Sequence, residues 1–428
     1  MTNIYFQTHG CSTNLSESEV MMGLLRESKF EIVEDPSDAD VIVINICTVK
    51  GEDTALREIR KLNDNFLGKK LIVAGCITKI ILNETRKIND EISFISTHNI
   101  KSIVEVVEET LNGNVIEATG RDQYEKINLP KMRKNPVVGI IPILNGCAGY
   151  CAYCSVKYVK GKLFSYPMQD IEKEANECLI QGCKELWITS QDNAAYMLER
   201  DKLTKLPELI ENLSRIDKKF FMRIGMMNPE HLLKVLPQMI EAYKSDKVFK
   251  FLHIPVQSGN DEILKLMKRQ YTVEDFKLIV NEFRKNIPSI SISTDLIVGF
   301  PTETEQQFND SLGLVKEIKP DVLNISKFQA RHGTDAVKMK EQVDGVIVKA
   351  RSKLLTDIFH NISRMNHGQW IGWEGEVLID EIGKNNTFIS RNIDYRQIIL
   401  SGEFKLGDIV RVRVIDGTTF DLRGERVT

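Results

Sequence analysis

The sequence predicts an α/β protein in three parts: a doubly wound parallel sheet, an open (β/α)6 barrel and a small C-terminal β-barrel. Three observations carry this. Over residues 1–116 short β-rich runs alternate with amphipathic stretches, the pattern of a parallel sheet covered by helices on both faces. From 137 to about 329 the rhythm returns six times without a Gly-rich dinucleotide fingerprint, which favours a barrel. From about 369 short alternating runs are broken by Gly turns, as in small closed barrels.

The bounds agree with that plan. A chain of 428 residues is too long for one ordinary core, and 42% apolar residues suffice for packed globular domains. No apolar run reaches the length of a membrane span and MTNIYFQTHG is no signal peptide, so a cytoplasmic protein without a membrane partner is expected. In a reduced compartment, eight cysteines argue for metal or redox chemistry rather than disulfides. Net charge is −3, with an acidic N-terminal third and a slightly basic remainder. That balance is compatible with an RNA partner and does not by itself require one.

In the first part (1–116), strands are expected at 3–8, 31–33, 41–46, 71–74 and 92–95, with helices at 16–26, 52–65 and 100–111. Cys11 follows the first strand, Cys47 the third and Cys76 the fourth. Open α/β sheets gather ligands at the carboxyl ends of their strands. A lone cysteine there is usually a buried small hydrophobe, but three at equivalent ends point to one metal-cluster site. Residues 117–136, polar and punctuated by proline, read as a linker.

The second part (137–368) holds expected strands at 137–144, 185–190, 220–224, 250–255, 290–298 and 322–328. Helical patterns at 168–181, 206–217, 230–243, 273–284 and 303–318 separate them, and a further helix follows the barrel. Just past the first strand, Cys147, Cys151 and Cys154 crowd into eight residues as C-x3-C-x2-C. Structural zinc takes four protein ligands, and a fourth nearby Cys or His is missing. Iron–sulfur clusters take thiolates at short spacings, so the trio suggests a cluster with one iron open. Ser190–Asp192, Arg223, the PVQSG run with Gln257, and Gly299–Pro301 fall near strand ends, where barrel sites form. Cys178, Cys183, Met226 and Met227 read as packing residues, and His253 as a hydrogen-bonded barrel residue. Lys157, Lys160 and Lys162 read equally as a phosphate-facing run or a solvated face. In the third part (369–428), Arg391, Tyr395, Arg396, Arg411 and Arg413 are candidates for a local RNA-binding patch.

With these residues in view, the C-x3-C-x2-C motif resembles that of the radical S-adenosylmethionine (SAM) enzymes. The whole chain resembles the radical-SAM methylthiotransferase family through THGCSTNLSESE, INICTVKG, VAGC, LHIPVQSGNDEILKLMKR and STDLIVGFPTETEQQF. The wording around Cys11 and the run ELWITSQDNAAY look most like the archaeal and eukaryotic branch, which acts on N6-threonylcarbamoyladenosine beside the tRNA anticodon. Sister branches act on isopentenyladenosine in tRNA or on a ribosomal-protein aspartate. One departure follows the last barrel strand: Arg331-His332-Gly333-Thr334 stands where the family often has Arg-Pro-Gly-Thr.

The resemblance implies two [4Fe–4S] clusters, one on Cys147, Cys151 and Cys154 and an auxiliary one on Cys11, Cys47 and Cys76. It implies SAM as cofactor and a C-terminal TRAM barrel. The first cluster would cleave SAM, the second would supply sulfur, and a second SAM the methyl group. Tyr153 would lie by the SAM adenine, and Gln191, Arg223 and Gln257 would meet its polar groups, although Arg223 reads equally as one half of a structural ion pair. The threonylcarbamoyl carboxylate calls for a cation, and Arg331 and Lys327 are the candidates. The expected partner is the tRNA anticodon stem-loop, with electron donor and sulfur source unidentified.

Overall fold

In the computed structural model the described residues are 2–47, 51–120 and 125–427. Three residues of the INICTVKG run (48–50) and part of the expected linker (121–124) lie outside them.

The N-terminal part is a six-stranded, wholly parallel sheet of β1 (Asn3–Thr8), β2 (Glu31–Val33), β3 (Val41–Ile46), β4 (Lys70–Gly75), β5 (Ser93–Ser96) and β6 (Glu117–Ala118), in the order β2-β1-β3-β4-β5-β6. The sequence VIVINI of β3 is apolar apart from Asn45 and buried along its whole length, as a central parallel strand requires. One face is covered by the helices Ser12–Glu27 and Ile103–Leu111, the other by Glu52–Asn65. The first helix starts four residues earlier than its apolar pattern suggests. Its opening turns carry Thr13, Asn14, Ser16 and Glu17, yet these are buried, because the helix is packed between the sheet and the barrel. A fourth helix, Lys79–Ile88, was not expected from the pattern. It buries only Ile81 and Thr85 and is started by the Thr78 hydroxyl, which accepts from the Ile81 amide at 3.2 Å.

The middle part opens with β7 (Val138–Pro142), followed by a small antiparallel hairpin of β8 (Leu144–Asn145) and β9 (Phe164–Ser165) that frames the cysteine loop. The barrel wall continues with β10 (Glu185–Thr189), β11 (Phe221–Ile224), β12 (Phe251–His253), β13 (Ser291–Val298) and β14 (Val322–Lys327). Strands β7-β10-β11 form one parallel sheet and β12-β13-β14 another. A single parallel bridge, Met222 to Val248, joins them, so six parallel strands run in sequence order around an open barrel. The helix expected over 230–243 is split into Pro229–Leu232 and Leu236–Tyr243, because Pro237 has no amide to continue a helix and starts the second one.

A 24-residue helix, Gly345–Gly368, leads from the barrel to the C-terminal module. There β15 (Glu374–Ile382), β16 (Thr387–Arg391), β17 (Gln397–Ser401), β18 (Ile409–Gly417) and β19 (Leu422–Arg426) close into a barrel. Alternation along β18 turns Val412 and Val414 inward, while Arg411 and Arg413 point outward. No helix among the described residues is long and apolar enough to cross a membrane.

The structure corrects the expected RNA face of this module. Arg391, Tyr395 and Arg396 face inward and close the floor of the middle barrel. The Tyr395 ring lies 4.8 Å from that of Phe249 and 5.0 Å from that of Phe251, and its hydroxyl donates to Glu185 Oε1 at 3.1 Å. Arg391 stacks on Tyr395 and donates to Asp380 at 3.3 Å, and Arg396 pairs with Asp321 at 2.7 Å. Acidic side chains on other elements take up these two arginines, which composition alone cannot reveal. Arg411 and Arg413 remain outside, both paired with Glu374.

Candidate active site

Strand order explains how three distant cysteines meet. Because β1, β3 and β4 are neighbours, Cys11, Cys47 and Cys76 leave three adjacent strand ends side by side. Two glycines make the approach possible. Gly10 has φ +135°, and a Cβ there would lie 2.6 Å from Cys47 Cβ. Gly75 has φ +99°, and a Cβ would overlap the Asn45 side chain and the Ile46 carbonyl. The three thiols are close enough to act on one another: proximity to Cys47 lowers the pKa of Cys11 and of Cys76, and both raise that of Cys47.

The second trio sits in the loop between β8 and β9. Gly146, at φ +78°, turns the chain where any Cβ would strike the Lys162 carbonyl. The Gly149 amide donates to Cys147 Sγ at 3.3 Å, and a Cβ on Gly149 would stand 3.4 Å from Cys147 Sγ and 3.7 Å from Cys151 Sγ. Arg269 Nη1 donates to Cys151 Sγ at 3.2 Å, its Nη2 to Asn228 at 2.9 Å and its Nε to the Tyr271 hydroxyl at 2.9 Å. Burial pushes the Cys147 thiol up to about 12 and raises Cys154 as well, with Arg331 and Arg269 opposing the shift at Cys154. Deprotonation of such thiols is left to a bound metal.

The N-terminal sheet docks by its cysteine edge onto the barrel mouth. Ser12 and Thr189 hydroxyls lie 2.5 Å apart, and His98 Nε2 bonds the Val159 carbonyl at 2.8 Å. Both trios therefore line one cavity of about 1090 Å³. Among the described residues no group of three His, Cys, Asp or Glu is arranged to hold a single metal ion. Two separate sets of three thiols, one with N–H donors aimed at sulfur, suit a polynuclear thiolate-held group instead.

Of the expected SAM contacts, Tyr153, Gln191, Arg223 and Gln257 all line this cavity. Gln191 reaches Thr13 at 3.4 Å through its amide nitrogen, while its Oε1 is buried without a partner. Gln257 adopts φ +72°, held by hydrogen bonds from its amide to Asp295 O and from Ile297 to its carbonyl. Arg223 sits mid-strand, lower than expected, with Trp187, Phe251 and Tyr395 rings 5.3–5.5 Å from its guanidinium. No carboxylate pairs with it among the described residues, and its Nε is buried without a partner. Buried polar atoms are rarely left without a partner, which sets these two side chains apart in the cavity wall. Arg331 comes close enough to Cys154 to act on it electrostatically, whereas Lys327 is exposed and outside the cavity lining.

Sequence reasoning passed over Arg269, although it ends the quoted LHIPVQSGNDEILKLMKR run. It also left Lys160 in a surface run, but the structure buries Lys160 against Glu17 of the N-terminal part at 2.9 Å. Cys178 and Cys183 are buried in the barrel core, and His253 bonds Asp295 at 3.1 Å, both as expected.

Comparison with known proteins places these features in context. Family models match as follows: the radical SAM superfamily over residues 141–315, the uncharacterized protein family UPF0004 over 3–97 and the TRAM domain over 369–427. The chain is 37% identical over 418 residues to the probable threonylcarbamoyladenosine tRNA methylthiotransferase of Methanothermobacter thermautotrophicus, covering 97% of each. It is 37% identical to the human threonylcarbamoyladenosine tRNA methylthiotransferase, over 99% of this chain and 74% of that one. Among solved structures, a radical SAM methyltransferase from Kitasatospora setae with cobalamin and a [4Fe-4S] cluster bound shares the fold at TM-score 0.53 and 14% identity, covering 78% of this chain and 77% of that one.

Proposed function

The chain belongs to the threonylcarbamoyladenosine tRNA methylthiotransferase family, and from that premise we propose how its cavity serves the reaction. The substrate is tRNA, presented as an anticodon stem-loop in the cytoplasm, and the reaction adds a methylthio group to threonylcarbamoyladenosine. The observation that carries this reading is that both cysteine trios line one cavity. When bound, two [4Fe–4S] clusters and SAM supply radical cleavage, sulfur and the methyl group. Cys147, Cys151 and Cys154 would hold one cluster, and Cys11, Cys47 and Cys76 the other.

What the side chains do follows from the chemistry. An adenine C2–H is too weak an acid for any side-chain base, so the protein orients its cofactors rather than moving that proton. Gly149 and Arg269 direct N–H groups at the sulfurs of the barrel trio. The unpaired Gln191 Oε1 and Arg223 Nε offer an acceptor and a donor to SAM, and Tyr153 offers a ring face. The docked N-terminal sheet shields the mouth from bulk water. Arg331, close enough to Cys154 to act on it electrostatically, would meet the threonylcarbamoyl carboxylate.

The test is substrate choice in vitro. Stem-loops carrying threonylcarbamoyladenosine should be methylthiolated, with isopentenyl or unmodified stem-loops at least about tenfold slower, since a mismatched group leaves buried polar partners unpaired. Arg331→Gln should narrow that gap. A faster reaction with the isopentenyl stem-loop or with a ribosomal protein would remove this reading.

A further inference from the structure

The reaction as described makes no use of a buried charge cluster beside the N-terminal cysteines. Glu17 Oε1 accepts from Lys126 Nζ at 2.8 Å, from Lys160 Nζ at 2.9 Å and from the Thr97 hydroxyl. The same Thr97 oxygen accepts from Lys126 at 2.9 Å and from Lys160 at 2.7 Å. The three charged side chains are only 3–6% exposed. Two further titratable neighbours, His98 and Tyr166, add no charge: burial holds His98 below its ordinary pKa and Tyr166 above its own. Lys160 also lines the cavity together with Cys11, Cys47 and Cys76.

Two ammonium groups on one carboxylate leave the set one anion short. An uncompensated buried charge is strongly destabilising, so the chain needs a further negative charge within reach. The cysteine trio is the neighbour that can provide it. Lys160 is also the last residue of the short helix Val156–Lys160, which begins two residues after Cys154. The barrel-cysteine loop thus delivers a cation to the other trio.

Resting on the two-site reading above, we propose that Lys160, backed by Lys126, is a positioning residue for the N-terminal trio. Its ammonium is the counter-charge for an anionic group on Cys11, Cys47 and Cys76, and it ties the two cysteine loops together. A cation beside an iron–sulfur cluster favours the reduced, more negative state, and removing that cation disfavours it.

The test uses the full chain with Cys147, Cys151 and Cys154 replaced by Ala, reconstituted anaerobically so that the N-terminal trio alone gives the cluster signal. Redox titration followed by electron paramagnetic resonance should show a midpoint shifted to more negative potential in Lys160→Met. Lys160→Arg should return it toward the parent, and Glu17→Gln should shift it positive. A midpoint unmoved by both Lys160→Met and Glu17→Gln overturns the proposal. A metal-free readout decides the matter if a variant takes up no iron. In the apo-protein, anionic iodoacetate should label Cys11 several-fold less well, relative to neutral iodoacetamide, once Lys160 is Met. An unchanged ratio also overturns the proposal. Absence of any cluster in the parent would instead count against the two-site reading, and the labelling ratio would still decide this one.

Discussion

At the scale of single residues, Arg269 joins three pieces of the barrel mouth. Its guanidinium fork spends one N–H on Cys151 Sγ, one on Asn228 and one on Tyr271, whose hydroxyl in turn bonds the Pro255 and Val256 carbonyls. Hydrogen bonds from charged groups contribute roughly 1.5–3 kcal/mol, so whatever the Cys151 sulfur holds is steadied by this donor. Arg269→Met should therefore release iron from the barrel trio to a chelator about tenfold faster or more. Iron on the N-terminal trio should be retained as before. Lysine should not rescue the variant, because it lacks the planar fork. Equal release rates in wild type and Arg269→Met would show that the contact is incidental. Arg269 stood in plain view in the sequence. Its role did not, because the partners Cys151, Asn228 and Tyr271 come together only when the barrel closes.

At the scale of elements, the C-terminal barrel is a structural floor as well as a candidate RNA module. Its Tyr395 fills the bottom of the middle barrel between Phe249, Phe251 and the Arg223 guanidinium. Tyr395→Ala should cost about 3 kcal/mol or more, from the cavity and from the donor lost to Glu185, and should lower the melting temperature. A surface role for Tyr395 would leave it unchanged. The same floor carries a pH dependence. Burial raises the Asp380 carboxyl from 3.8 to about 7, opposed by Arg391 and reinforced by Glu185. A carboxyl raised in the folded state contributes stability that is present below its unfolded value and lost as pH rises through the folded one. The melting temperature of Asp380→Asn relative to wild type should thus climb between about pH 4 and pH 7. A difference that is flat with pH would contradict the assignment.

For the whole molecule, the sheet and barrel strands could be read from the sequence because strands such as VIVINI are buried on both faces and leave long apolar runs. The convergence of Cys11, Cys47 and Cys76 was readable too, since parallel strands end on one edge. What escaped were features decided by contacts between parts. Lys160 looked like a surface lysine until Glu17 covered it, and Arg391 and Arg396 looked like RNA contacts until Asp380 and Asp321 claimed them. The helix Lys79–Ile88 escaped because it buries so narrow a face. The result is a chain whose N-terminal sheet, barrel mouth and barrel floor all contribute walls to one cavity.

The central claim is that this cavity holds two clusters with separate duties, and iron partition tests it most directly. Anaerobically reconstituted wild type should carry twice the iron and sulfide of either triple variant, Cys11/Cys47/Cys76→Ala or Cys147/Cys151/Cys154→Ala. The N-terminal triple variant should still cleave SAM when reduced by dithionite, and the barrel triple variant should not. Loss of all iron in one triple variant, or loss of SAM cleavage in the N-terminal one, would contradict the account.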